Sequence, residues 1–245
     1  MKIAIIGYGK MGHIIEQIAI QRGHTIVATI DIGNLDAFRS DAFRSADVAI
    51  EFTMPSVAFD NYLQCFAAGI PVVSGTTGWT NRLEEIRKIC EDEGQTFFYA
   101  SNFSIGVNIL FAVNRFLAKL MNNFPAYDVD LKEIHHIHKL DAPSGTAITL
   151  ANDIIDEIER KSAWHLASEG AEWRPDELKI TALRENETPG THEVQYDSAV
   201  DIITIRHEAK NREGFALGAV LAAEFTAGKK GFHTMKDLLS FINEQ

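Results

Sequence analysis

Only two cysteines, Cys65 and Cys90, occur in 245 residues. Both fall in stretches that read as helices, so each is expected to be a buried small hydrophobe rather than half of a bridge or a nucleophile. No run approaches the roughly eighteen apolar residues that a membrane-spanning helix needs. Met1-Lys2-Ile3-Ala4-Ile5-Ile6 leads straight into glycines, without the basic region, apolar core and cleavage site of a signal peptide. A cytoplasmic protein with no membrane partner is therefore expected. Positive charge is scarce too, with 23 Lys and Arg against 34 Asp and Glu and a formal net charge of -11. A nucleic-acid partner is not expected on that balance, because phosphate backbones demand clustered positive charge. A small anion remains open to the chain, since a local group of Lys, Arg and His can hold one.

What is present is a hydrophobic fraction of 46% and an alternation of strands with helices. Residues 2–6 form a continuous apolar run, 12–22 repeat apolar groups at helical spacing, and 25–30 return to a strand. Residues 36–45 offer no more than a turn of helix. A strand at 48–52, a helix opened by Pro55, a strand from 71, a polar helix over 81–93 and a strand at 96–100 complete a βαβ series. These features predict an α/β fold with a Rossmann-like parallel-sheet nucleotide domain. A second, α+β region follows, with an apolar helix over 105–121, an alternating strand over 129–134 and further strands at 179–184, 192–197 and 202–207. Short turns between those last three predict largely antiparallel pairing. Periodicity leaves residues 214–245, read as two helices, open to either region.

The first chemical motif is Gly7-Tyr8-Gly9-Lys10-Met11-Gly12, a G-x-G-x-x-G between a strand and a helix inside a βαβ unit. Gly7 permits the tight turn, Gly9 lets backbone approach a pyrophosphate, and Gly12 lets helix and strand pack closely. Asp31 ends the second strand, where a carboxylate can accept bonds from an adenosine ribose. Ile32 and Gly33 follow it without an arginine to grip a 2′-phosphate. NADH is therefore expected to serve at least as well as NADPH, although Lys10, Arg39 or Arg44 could supply a phosphate contact. Gly75-Thr76-Thr77-Gly78 and Ser101-Asn102-Phe103-Ser104 also follow strands, so Gly75, Thr76, Thr77, Ser101, Asn102 and Phe103 are candidates for the nicotinamide end of the cofactor.

The densest group of proton-handling residues is His135-His136-Ile137-His138-Lys139-Leu140-Asp141-Ala142-Pro143-Ser144-Gly145-Thr146. Pro143 disfavours an undisturbed helix, and Ser144 is a plausible cap for a helix over 147–158. A helix start beside imidazole and ammonium groups suits a carboxylate. No metal is expected, because no matching cysteine set is near and Lys139 would oppose a cation.

The segment from Glu133 to Ala147 resembles the signature of the dihydrodipicolinate reductase (4-hydroxy-tetrahydrodipicolinate reductase) family of lysine and diaminopimelate synthesis. The glycine motifs and the end of the chain extend the resemblance over nearly all 245 residues. It implies catalysis by His135 and Lys139, and contacts from His136, Ser144, Gly145 and Thr146 to a cyclic dicarboxylate. It also implies a nucleotide domain of residues 1–103 and 212–245, an inserted substrate and oligomerisation domain of residues 104–211, a homotetramer, and NADH or NADPH as cofactor. Two departures stand out. Asn186 occupies a position that is often glycine, a change compatible with left-handed backbone, and the stretch between Asp31 and Val48 is shorter than in many members. Arg212 matches a position with a possible supporting role. Whether His135 or Lys139 delivers the proton stays open at this level. So do two other readings, a reductase of another cyclic imine or semialdehyde and a dinucleotide-sensing protein without turnover.

Overall fold

The computed structural model describes residues 1–168 and 174–240 and divides into two compact units, residues 1–105 with 212–245 and residues 106–211. The first unit runs β1 (Lys2–Ile6), α1 (Lys10–Gln21), β2 (Thr25–Ile30), a 3-10 turn (Leu35–Arg39), α2 (Asp41–Arg44), β3 (Val48–Glu51), α3 (Pro55–Ala67), β4 (Val72–Ser74), α4 (Leu83–Glu93) and β5 (Thr96–Tyr99). The second contains α5 (Ile105–Met121, whose first residue closes the first unit), β6 (Asp128–His135), α6 (Gly145–Glu157), β7 (Ala163–Leu166), β8 (Glu177–Arg184), β9 (Thr191–Asp197) and β10 (Ile202–Glu208). The chain then returns to the first unit as α7 (Glu213–Thr226), β11 (Gly231–Thr234) and α8 (Met235–Leu238).

The first unit is Rossmann-like, a parallel sheet in the order β11-β5-β4-β3-β1-β2. β3 and β4 are buried at every position, which explains why each opens on consecutive apolar residues, Val48-Ala49-Ile50 and Val72-Val73, instead of alternating. Strand order reverses beside β1, because β2 lies to one side of it and β3 to the other, so the carboxyl ends of β1 and β3 form a topological switch point. α7 packs Ala216, Ala219, Val220 and Ala223 into the core shared with Ile3, Ile5 and Ile15. Arg22 and Glu224 join it to the end of α1 through two 2.8 Å hydrogen bonds.

The second unit has a mixed sheet in the order β10-β9-β6-β8-β7. β6 alternates buried and exposed residues, as a strand covered on one face does. Its inward side chains Val129 and Leu131 meet Leu150, Ala151 and Ile154 of α6 and Leu110, Ala118 and Met121 of α5. Because side chains alternate, Glu133 and His135 continue that same face to the end of the strand.

β9 and β10 pair antiparallel, as expected, but β8 does not pair with β9: β6 lies between them, and β8 runs parallel to β6 because the chain from β6 to β8 crosses over through α6. β7 and β11 were not anticipated. Each is a four-residue edge strand with no fully buried residue, held by pairing to β8 or β5. Cys65 and Cys90 are free and buried, as expected. Among the described residues no helix is long and apolar enough to cross a membrane.

Gly7 has φ +90°, and a Cβ there would lie 2.0 Å from the Phe52 carbonyl oxygen. Gly7→Ala is expected to destabilise the protein by about 2–4 kcal/mol, combining left-handed strain with overpacking. An unchanged urea midpoint would contradict this.

Candidate active site

In the first unit, the carboxyl ends of β1, β3 and β4 border a cavity of about 350 Å³ lined by Gly9, Lys10, Met11, Gly12, Phe52, Thr53, Pro55, Gly75, Thr76 and Thr77. α1 begins at Lys10 with Gly9 as its cap residue and no side-chain cap, so its first backbone N–H groups carry the positive end of the helix dipole towards the cavity. A Cβ on Gly9 would meet nothing within 4 Å, and one on Gly12 would collide with the Gly7 carbonyl oxygen at 2.4 Å. Gly9 therefore leaves room for a ligand, while Gly12 is required for packing. The Tyr8 N–H donates to Asp31 at 2.9 Å, fixing the carboxylate that ends β2 beside the glycine loop. These features fit the phosphates and ribose of a dinucleotide. The Tyr8 hydroxyl is directed elsewhere, to Glu16. Ser101 and Asn102 follow β5, and the Asn102 side chain accepts from the Ser104 N–H at 2.9 Å. The Phe103 ring is buried against Phe52 and Phe98, which leaves only its backbone for a ligand.

In the second unit the centre is Glu133, fully buried near the end of β6. Its carboxylate accepts from the Ser144 N–H at 3.1 and 3.2 Å and from the Arg184 guanidinium at 3.3 and 3.4 Å. His135 Nδ1 lies 3.4 Å away and His192 Nε2 3.7 Å away. His192 is the direct cross-strand partner of Glu133, and Arg184 that of His135, so sheet register assembles the group. The Ser144 hydroxyl accepts from the Ala147 N–H at 3.2 Å, capping α6, and sits 3.2 Å from His192 Nε2. Gly145 and Thr146 form the first turn of that helix.

Arg184 also donates to the carbonyls of Asp141 at 2.6 Å and Lys139 at 3.3 Å, tying the loop after β6 to the buried carboxylate. Within that loop, Lys139 Nζ donates to both Asp141 carboxylate oxygens at 2.7 and 2.9 Å. The Ile137 N–H donates to the Asn186 carbonyl at 3.1 Å, and Asn186 has φ +48°, the left-handed conformation that asparagine tolerates. His136 is half-buried, whereas His138 is exposed and pairs with Glu187 at 2.9 Å.

The electrostatics divide the site. Burial would raise the pKa of Glu133, but hydrogen bonds from His192 and Ser144 and the nearby His135 outweigh it and hold the group at about 2. Burial pushes His135 down to about 4, with His192, Lys139 and Arg184 adding to the effect against Glu133. His135 is consequently a neutral imidazole at pH 7. Glu133, His135 and His192 are also of metal-ligating types, with candidate atoms within 4.8 Å of one another. Arg184 already supplies cationic charge to that carboxylate, which raises the electrostatic cost of a further cation.

Two family models match the chain, "Dihydrodipicolinate reductase, N-terminus" over residues 1–103 and "Dihydrodipicolinate reductase, C-terminus" over residues 106–239. The chain belongs to the dihydrodipicolinate reductase family. It is 50% identical over 240 residues to a 4-hydroxy-tetrahydrodipicolinate reductase from Christiangramia forsetii, covering 98% of each chain. It is 35% identical to one from Clostridium novyi, covering 96% of each. A solved dipicolinate-bound dihydrodipicolinate reductase from Paenisporosarcina sp. TG-14 aligns with TM-score 0.72 and 25% identity, over 96% of this chain and 97% of that one. Membership makes the protein an NAD(P)H-dependent oxidoreductase.

Sequence reading assigned no role to Glu133, Arg184 or His192, the residues that the second unit brings together. The period of two that puts Glu133 and His135 on one face was available from sequence; the register that brings in Arg184 and His192 was not. The His135 resonances are expected to titrate near pH 4, with no protonation step between pH 5.5 and 8 in the ligand-free protein. An NMR titration giving an ordinary midpoint near pH 6.5 would overturn that.

Proposed function

We propose that the protein reduces 4-hydroxy-tetrahydrodipicolinate to tetrahydrodipicolinate and water with NAD(P)H, a step of lysine and diaminopimelate synthesis. The observation that carries the reading is the Glu133–His135–Arg184 group beside the capped start of α6, within a chain matched to the family along almost its whole length. A cyclic dicarboxylate needs cationic and N–H donors for its carboxylates and a proton donor for the reduced ring. His136, Ser144, Gly145 and Thr146 are assigned to holding the carboxylates, with Ser144 acting as the cap that orients the helix start.

Bound NAD(P)H supplies the hydride. Gly7, Tyr8, Gly9, Lys10, Met11 and Gly12 are assigned to its pyrophosphate, Asp31 to its adenosine ribose, and Gly75, Thr76, Thr77, Ser101, Asn102 and the Phe103 backbone to its nicotinamide end. In the balanced reaction the substrate loses water, one ring carbon gains a hydride and the other end of the conjugated system gains a proton. Lys139 is assigned as the donor of that proton, because its Nζ carries N–H donors and Asp141 holds it in position. Neutral His135 is assigned to hydrogen bonding and orientation of the ring. Lys139→Met and His135→Gln are each expected to lower kcat at least 100-fold while changing NADH affinity less than threefold. Turnover near the wild-type level in both would remove these roles.

NADH is proposed to serve at least as well as NADPH, since a 2′-phosphate beside Asp31 would meet a like charge. The deciding measurement is loss of absorbance at 340 nm with freshly generated substrate and each cofactor. No substrate-dependent loss would overturn the function, and a preference for NADPH above tenfold in kcat/KM would overturn the cofactor assignment. A homotetramer is proposed as the working form. It is supported by the exposed apolar residues Val200, Ile202 and Ile203 at and before the edge strand β10. Light scattering that gives the mass of one chain at micromolar concentration would overturn it.

A further inference from the structure

A second buried carboxylate lies outside the group around Glu133. Glu51, the last residue of β3, is fully buried and makes no ion pair among the described residues. Its carboxylate accepts only from neutral donors: the Thr53 hydroxyl, the Thr53 N–H at 3.1 Å, the Thr76 hydroxyl at 3.0 Å and the Ser74 hydroxyl at 2.8 Å. Behind it, the Tyr62 hydroxyl meets Ser74 Oγ at 2.7 Å. Thr53 and Thr76 are joined directly as well, because the Thr53 N–H donates to Thr76 Oγ1 at 2.8 Å. Both threonines line the cavity assigned to the cofactor. Isolated burial of a carboxylate is costly enough that it persists only where donors are arranged around it. Here those donors come from the ends of β3 and β4, the two sides of the cavity floor.

We infer that Glu51 is a positioning residue for the cofactor, locking Thr53 to the Gly75–Thr76–Thr77 turn so that the turn's outward groups are presented to the nicotinamide end. The Thr53 and Thr76 hydroxyls point inward to the carboxylate and are spent on the lock, as are the Gly75 N–H, which donates to the Glu51 carbonyl at 3.0 Å, and the Thr76 N–H, which donates to Ser74 Oγ at 3.3 Å, so Thr77 is the residue that the fixed turn presents to the cavity. The inference rests on the dinucleotide reading of the first unit but is independent of which second substrate is reduced.

Protonation would turn one accepting oxygen of Glu51 into a donor and leave a neighbouring hydroxyl without its acceptor. Burial raises the affinity of Glu51 for a proton, against the hydrogen bonds from Thr53, Ser74 and Thr76. The groups facing it are Thr53, Ser74 and Thr76, together with Tyr62 and Cys65 of α3, whose own pKa values are raised by burial and by Glu51, so both stay neutral. Lock strength should therefore fall on the acid side as Glu51 takes up its proton.

The test is fluorescence titration of full-length protein with NADH and no second substrate, at pH values from 8 to 5.5. Glu51→Gln is expected to raise the Kd for NADH at least fivefold at pH 8, to flatten the acid-side weakening expected of wild type, and to leave kcat at saturating NADH within threefold. Glu51→Asp should recover part of the affinity. Ser74→Ala, which removes one donor without touching the cavity lining, should raise Kd by a smaller factor and serves if Glu51→Gln does not fold. A Kd within twofold of wild type in a folded Glu51→Gln or, failing that, Ser74→Ala would overturn the inference. So would a wild-type pH profile retained in Glu51→Gln. Failure to reduce the cyclic dicarboxylate, with Glu51-dependent NADH binding intact, would count against the proposed function alone.

Discussion

Glu133 is a carboxylate with no exposure to solvent, and its partners come from four separated stretches of chain: His135 beside it on β6, Arg184 on β8, His192 on β9 and the Ser144 N–H at the start of α6. An ion buried in this way is tolerable only when it is paired and its lone pairs are occupied, since an uncompensated one costs several kcal/mol. The site and the sheet order of the second unit are therefore one constraint. β8 must run parallel to β6 and β9 antiparallel to it for Arg184 and His192 to reach the same carboxylate. Arg184 extends that constraint outward by holding the backbone of the loop that carries Lys139.

The two buried glutamates contrast usefully. Glu133 sits with a guanidinium and imidazoles, and its proton affinity falls; Glu51 is surrounded only by hydroxyls and an amide, and its proton affinity rises. Burial pushes both upward, so it is the partners that separate them. The Glu133 carboxylate keeps the Arg184 guanidinium and the imidazoles around it oriented. A carboxylate among hydroxyls orients each of them without adding a second charge at the floor of the first unit's cavity.

Much of this was legible in the residues. The alternation of short apolar strands with helices announced a parallel sheet, and the glycine pattern after β1 announced a tight loop at a helix start, both of which follow from local sterics and burial. Ser144 was recognisable as a cap because its bond to the Ala147 N–H spans only three residues. Edge strands β7 and β11 were not legible, since their residues have no apolar pattern and take strand geometry from a neighbour distant in sequence.

The sequence by itself determined the types and local order of the chemical groups: a G-x-G-x-x-G loop between a strand and a helix, Asp31 at a strand end, and imidazoles and a lysine ahead of a capped helix. Spacing along one chain is enough for those, because strand and helix periods are short-range. Only the tertiary structure decided the chemical state of those groups. His135 is neutral because it is buried, with His192 and Arg184 reaching it from other strands and Lys139 from the loop that follows its own. Glu133 is charged because register delivers Arg184 and His192 to it. Proton affinity depends on desolvation and on distances through space, and neither is written in the linear order of residues.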